Sequence, residues 1–304
     1  MNKYSFIVDE IDEGIRLDKY LSELFVDISR AKLQDLIKNG SVLVNEGAKK
    51  SSYGLKSGDK VDVVIEEEKE DIIHPQNISL DIVYEDENML VVNKPSGMLT
   101  HPTANEHENT LVNALLYKYG ENLSDINGYL RRGILHRLDR NTSGLLMVAK
   151  NNETHEFLAN QLKERTATKK YLAIVKGAIK EDSGSLKFPM GRHPKQAKMA
   201  VVEGGKESLT EFKVLKRYRD ATFLELDLKT GRTHQIRVHL SHIKHPIIND
   251  MLYGAGNCKV KTQEQVLQSY KLSFTKPFSN DIIELEIGHD PKIQKVLAYL
   301  DQLN

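Results

Sequence analysis

Between residues 66 and 77 the chain offers almost nothing to a hydrophobic core. Glu66-Glu67-Glu68-Lys69-Glu70-Asp71 is a run of charge without one apolar side chain, and His74-Pro75-Gln76-Asn77 follows it. A block of like charge stays solvated and repels itself. The apolar runs on either side must therefore close into separate cores, which predicts a small unit over residues 1–70, a linker over 71–78 and a larger unit over 79–304. The alternative is an exposed helical turn inside one continuous domain.

The small unit has a readable order. Leu17, Leu21, Leu24 and Phe25 recur at helical spacing after Arg16. Asp27-Ile28-Ser29 interrupts this helix, and Ser29 suits the N-cap of a second one, whose apolar face is Leu33, Leu36 and Ile37 and which Gly40 is placed to close. Val42-Leu43-Val44 reads as a strand, Asn45-Glu46-Gly47 and Ser57-Gly58-Asp59 as turns, and Val61 to Ile65 as a closing strand. In the larger unit, strands are expected at Ile82–Tyr84, Met89–Lys94, Gly144–Ala149, Tyr171–Val175 and Phe223–Leu228. Helices are expected from Leu111 to Leu116, from an Asn152 cap to about Arg165, and along the face Ile236, Leu240 and Ile243. Strand and helix alternate irregularly with many hairpin-like turns. This predicts an α+β fold with a mixed, mainly antiparallel sheet rather than a doubly wound parallel one.

Net charge does not announce a nucleic-acid partner, since 43 Lys+Arg balance 43 Asp+Glu. The distribution does. Residues 131–250 hold 24 basic against 13 acidic side chains, a net +11, and a basic middle between acidic flanks suits a polyanion-binding face. Scattered solvated charge is the plainer alternative. The single cysteine, Cys258, allows neither an intramolecular disulfide nor a multi-cysteine zinc site and suits a reducing compartment. There is no apolar run long enough to span a bilayer, and the first ten residues lack a secretory signal. Cytoplasm is the expected location.

Three stretches can carry chemistry. In Gly133-Ile134-Leu135-His136-Arg137-Leu138-Asp139-Arg140-Asn141-Thr142-Ser143-Gly144, an apolar strand is expected to break into a tight polar loop and re-enter a strand, with Asp139 between two arginines. Guanidinium neighbours would keep such a carboxylate ionised, fit to act as nucleophile or base. An aspartate that merely fastens a turn is the alternative. In Lys229-Thr230-Gly231-Arg232-Thr233-His234-Gln235-Ile236-Arg237, a glycine turn leads into a helix and sets Arg237 off its apolar stripe, where it can meet a distant carboxylate or simply face solvent. In Lys169-Lys170-Tyr171, the tyrosine opens an apolar strand and serves either as a base-stacking face or as a core aromatic.

Taken together, His136-Arg137-Leu138-Asp139 with Thr142-Ser143-Gly144-Leu145, Gly231 to His239, and Lys170-Tyr171 resemble the RluA family of pseudouridine synthases. Val92-Asn93-Lys94-Pro95-Ser96-Gly97 and His101-Pro102 are similar to that family's opening strand and loop. Residues 16–65, notably Arg16 to Leu21 and Ser29 to Ile37, resemble an S4 RNA-binding domain, and this pairing looks like that of the RluD-type, large-subunit rRNA branch. The resemblance implies an S4 domain before a pseudouridine synthase domain with a central basic cleft. It implies isomerisation of uridine in RNA without a cofactor or metal, with large-subunit rRNA as the expected partner, transfer RNA as the alternative, and neither a membrane nor an obligate protein partner. It makes Asp139 the essential aspartate, Tyr171 the tyrosine stacked on the target base, Arg237 the basic residue paired with the aspartate, and Arg137 the residue that displaces and replaces the flipped nucleotide. Arg30, Lys32, Lys38, Arg140, Arg232 and His234 are the expected RNA contacts.

Two rival chemistries fit less well. A glycosidase generally needs a second carboxylate as general acid, and these loops offer Asp139 alone. A non-catalytic RNA-binding factor suits the S4-like unit and the basic segment but gives no reason for combining Asp139, Tyr171 and Arg237. The extra leucine in His136-Arg137-Leu138-Asp139 spoils a kinase catalytic loop. His234, His239, His242 and His245 lack the spacing and partner cysteines of a zinc site.

Overall fold

A computed structural model describes residues 2–25, 28–65, 73–103, 105–254, 260, 262 and 264–303. The chain divides into two compact units, Met1–Ile72 and Ile73–Asn304.

The first unit orders as β1 (Asn2–Ile7), α1 (Leu17–Leu24), α2 (Arg30–Lys38), β2 (Val42–Val44) and β3 (Lys60–Ile65). Its strands form an antiparallel sheet in the order β1-β3-β2. Leu17 and Leu21 of α1 meet Leu33 and Ile37 of α2 over Val42, Val44, Val61 and Val63, a core that excludes water almost entirely. The Ser29 hydroxyl accepts from Lys32 N at 3.3 Å, capping α2 as expected. Gly40, at φ +85°, turns the chain out of its C-terminus.

The linker was expected over residues 71–78. Residues 66–72, and so the acidic run, lie outside the described residues. Ile73 is buried in the core of the second unit. The His74 carbonyl accepts from Asn113 Nδ2 at 2.9 Å, and Gln76 N donates to the Asn113 carbonyl at 3.0 Å. Residues 73–76 are thus fastened to the larger unit.

That unit is built on a nine-stranded sheet. It comprises β4 (Ile82–Glu85), β5 (Met89–Lys94), β6 (Ser143–Ala149), β7 (Thr168–Lys176), β8 (Ser183–Lys187), β11 (Leu209–Arg217), β12 (Ala221–Leu228), β13 (Leu267–Thr275) and β14 (Ile282–Glu286); β9 (Met190–Arg192) and β10 (Met199–Val201) form a separate hairpin. The order is β4-β5-β6-β13-β7-β12-β11-β8, with β14 also on β13. Every pairing is antiparallel except that of β6 with β13. The helices are α3 (Leu111–Tyr119), α4 (Asn152–Glu164), α5 (Gln235–His242) and α6 (Pro291–Leu303).

Both faces of the central strands are covered. Leu90, Val92, Leu146 and Val148 point into one core with Leu111 and Leu115 of α3, Ile236 and Leu240 of α5, and Ile293 and Val296 of α6. Met89, Val91, Leu145 and Met147 point into the other, with Leu158 of α4. This explains why β5 and β6 read as unbroken apolar runs.

Three local expectations need correction. Asn151, not Asn152, caps α4, its side chain accepting from Thr154 N at 2.8 Å. Residues 133–138 are not a regular strand: Ile134 makes one bridge to Val148, and Met147 N donates to the His136 imidazole at 3.2 Å where a ladder carbonyl would stand. The elements β1, β8 to β11, β13, β14 and α6 were not anticipated.

Candidate active site

Asp139 sits in a turn between this irregular segment and β6. Thr142 N closes the turn on the Asp139 carbonyl at 3.0 Å. The residue before it is pinned too, since Thr100 Oγ1 donates to the Leu138 carbonyl at 2.9 Å. From the end of β5, the buried Lys94 ammonium donates to the carbonyls of Pro95 at 2.9 Å, Met98 at 2.8 Å and Arg140 at 3.1 Å. Burial, and then the charge of Lys292, push Lys94 down to about 7, against the pull of Asp139 and Glu264.

Arg237, in the first turn of α5, holds two carboxylates at once. Its Nη1 donates to Asp139 Oδ2 at 3.0 Å, while Nε and Nη2 grip Asp250 at 2.7 and 2.9 Å in a fork. Asp250 is wholly buried and also accepts from Leu252 N and Tyr253 N, both at 3.1 Å. The Tyr253 ring lies 5.0 Å from the guanidinium carbon. Burial opposes the charge on Arg237, but Asp250 and Asp139 outweigh it and raise its pKa. Surface solvation, the alternative for this arginine, is excluded by its burial.

This sharing sets the chemistry of Asp139. One oxygen is tied to Arg237. The other, Oδ1, accepts no hydrogen bond among the described residues and has His234 Nε2 at 3.9 Å. His234 is pushed down by burial, partly offset by Asp139. Its Nδ1 lies 2.9 Å from the Tyr253 hydroxyl, which accepts from Met199 N at 3.2 Å. That hydroxyl can donate to Nδ1 and leave the ring proton on Nε2, toward Asp139.

A cleft of about 350 Å³ opens over this carboxylate, lined by Arg137, Asp139, Tyr171, Arg232, His234 and Arg237 among others. Tyr171 is 4% exposed on β7, and burial, with the Asp139 charge adding, raises its pKa so that it stays protonated. Arg137 is exposed at the rim. The structure therefore gathers the four expected catalytic residues, together with Arg232 and His234, around one opening.

Arg140 is not among the lining residues; its guanidinium pairs with Glu106 at 2.5 Å. Arg30, Lys32 and Lys38 lie on α2 of the first unit, where Arg30 donates to the buried Asp18 at 3.0 Å. The histidines on and just after α5 are engaged locally. His239 lies 2.8 Å from Ser208 Oγ, His242 packs on Phe188, and His245 sits 2.9 Å from the Lys176 carbonyl. Asp250, Tyr253 and the three-carbonyl role of Lys94 were missed in the sequence. Asp250 follows the apolar Ile247-Ile248 pair and carries no local signal beyond being an acid next to buried residues.

The RNA pseudouridylate synthase family matches residues 88–242, and the S4 domain matches residues 15–61. A Bacillus subtilis protein described as an uncharacterized RNA pseudouridine synthase is 42% identical over 287 residues, covering 94% of each chain. The ribosomal large subunit pseudouridine synthase D of Haemophilus ducreyi is 39% identical over 289 residues, covering 89% of this chain and 86% of that one. Among solved structures, human RNA pseudouridylate synthase domain containing 1 superposes with a TM-score of 0.57 at 29% identity, over 71% of this chain and 85% of that one. The matched span carries Asp139, Tyr171 and Arg237 through the strands and helix that frame the cleft, and on this agreement of sequence and geometry the chain belongs to the RNA pseudouridylate synthase family, with an S4 domain before its catalytic unit.

Proposed function

We propose that this protein converts specific uridines of large-subunit ribosomal RNA to pseudouridine, with Asp139 as the group that attacks the nucleotide. The observation that carries the reading is the asymmetric setting of Asp139: one oxygen fixed by Arg237, the other bare toward a cleft walled by Tyr171. A uridine in folded RNA must leave its stack to reach that oxygen. Arg137 at the rim fills the space it vacates, Arg232 and the surrounding basic side chains hold the backbone, and Tyr171 supplies the face against which the extruded uracil lies.

Asp139 then promotes cleavage of the N1–C1′ bond, by attack at the sugar or by taking the C2′ proton. The freed uracil turns within the cleft and bonds to C1′ through C5. The C5 proton is lost and N1 gains one. Nothing is oxidised and no group enters or leaves, so the chemistry needs no cofactor. The ribosomal substrate rests on the S4 domain and on the names of the relatives; the α2 side chains Arg30, Lys32 and Lys38 are assigned to RNA placement, and the cytoplasm is the assigned compartment. Among the described residues no helix is long and apolar enough to cross a membrane.

The test is Asp139→Asn. Pseudouridine mapped in ribosomal RNA of cells carrying this variant should match that of cells lacking the protein, while purified variant binds the RNA with wild-type affinity. Undiminished modification by the variant would overturn the assignment. Release of free uracil by the wild-type protein would favour a hydrolase.

A further inference from the structure

We propose that Lys292, carried by the C-terminal helix α6 and balanced by Glu264, is a positioning residue for Asp139; the proposal rests on the reading of Asp139 above. The turn that presents Asp139 is tied at each of its next three residues by a different part of the fold. The Arg140 carbonyl accepts from Gly97 N at 2.9 Å and from Lys94 at 3.1 Å. The Asn141 carbonyl accepts from Lys292 Nζ at 2.8 Å. Thr142 Oγ1 lies 3.3 Å from Gln265 Nε2. Lys292 Nζ also donates to Ser96 Oγ at 2.9 Å, and that hydroxyl sits between the Asn141 carbonyl at 2.9 Å and Glu264 Oε2. With Lys292 satisfying Asn141, the single Ser96 proton is available to Glu264.

A lysine is a costly way to fill this place. Only 9% of Lys292 is exposed, and burying an ammonium is unfavourable unless it is paired and hydrogen-bonded. Burial lowers its pKa, while Asp290 and Glu264 support the charge. An apolar residue would pack at less cost and could not hold a carbonyl. What Lys292 adds is direction: a charge-assisted hydrogen bond to the residue two positions beyond Asp139, from an element that contributes no residue to the cleft lining. The Asn141 carbonyl and the Asp139 carboxylate belong to one closed turn, so rotation of one moves the other. A carboxylate misplaced by an ångström loses much of its rate.

The experiment is steady-state and single-turnover kinetics on the full chain with an RNA substrate, comparing Lys292→Met, Lys292→Arg and Glu264→Gln, with Asp139→Asn as reference. Lys292→Met should lower kcat at least tenfold with KM changed less than twofold and RNA affinity unchanged. Lys292→Arg, which keeps a charged donor, should recover at least a third of the lost rate. Glu264→Gln should fall between the two. If Lys292→Met does not fold, Lys292→Gln carries the same expectation. The proposal fails if kcat survives in Lys292→Met while Asp139→Asn is dead, which leaves the role of Asp139 standing. It also fails if the arginine does not rescue, if the loss lies in KM, or if activity merely tracks the amount of folded protein. Turnover by Asp139→Asn would sink the reading of Asp139 and this proposal with it.

Discussion

Arg237 divides its guanidinium between the wholly buried Asp250 carboxylate and the Asp139 carboxylate that lines the cleft. Lysine cannot reproduce this, because an ammonium is a point donor without the planar fork. Arg237→Lys should therefore lower kcat on the order of 100-fold, the scale of losing one fixed donor at a reacting group, with RNA affinity unchanged in a binding titration. Asp250→Ala should do more damage to the fold than to affinity. It strips a buried guanidinium of its main counter-charge, and loss of one partner of a buried pair costs about 3–5 kcal/mol, measurable by urea unfolding. Of these residues the sequence spoke for Arg237 and Asp139, which sit in dense polar motifs at turn–helix and turn–strand junctions. It was silent on Asp250, whose importance arises only when residues 237 and 250 fold against each other.

At the scale of elements, β6 and β13 approach each other closely at Gly144. Gly144 has φ +114°, and a Cβ there would fall inside the Ser269 backbone. Gly144→Ala should destabilise the larger unit by about 1–3 kcal/mol from backbone strain and about 1–3 kcal/mol from the steric clash. The fall in Tm and loss of near-ultraviolet dichroism would report it. In the first unit, Asp18 is fully buried and accepts from Arg16 at 3.0 and 3.1 Å, Arg30 at 3.0 Å and Gln34 at 3.0 Å. The Arg16 bond, with the other partners, holds its carboxyl well below the usual range despite burial. The stability it confers is present above the unfolded carboxylate pKa and lost as pH falls through the depressed folded value. Asp18→Asn should cost about 1.5–3 kcal/mol, the worth of hydrogen bonds to a charged group, and loosen Arg30 on α2; thermal unfolding of the full chain followed at pH 7 tests this. Helices α1, α2, α4 and α5 were legible from caps and periodicity. The strands β8 to β11, β13 and β14 were not, because their half-buried, charge-bearing patterns acquire meaning only beside the neighbours that cover them.

For the whole molecule, enclosed histidines contribute to the pH response on the acid side. Desolvation pushes His136 down to about 3, with Lys169 adding, and His239 down to about 4. Both folded values lie below the ordinary 6.5, so between about pH 6.5 and 4 the unfolded chain binds more protons and stability falls as pH falls. The slope is up to about 1.4 kcal/mol per pH unit for each histidine. Denaturant unfolding at pH 7 and pH 5 should reveal this loss, and His136→Gln should flatten it; a stability unchanged between the two pH values would refute the account. The charge balance of the chain, zero overall, misled as a guide to its partner, whereas the basic excess over residues 131–250 marks the segment that frames the cleft.

The place of β13 in the sheet has a bearing on how the protein comes into being. It lies between β6 and β7, two strands that leave the ribosome well before it does. A nascent chain therefore carries Asp139 and Tyr171 beside strand sets that no β-ladder yet joins, and the tether from Lys292 follows β13. Competence should switch on late and abruptly during synthesis: a stalled chain whose emerged portion stops before residue 267 should be inert and readily proteolysed, and one released past α6 should be fully active.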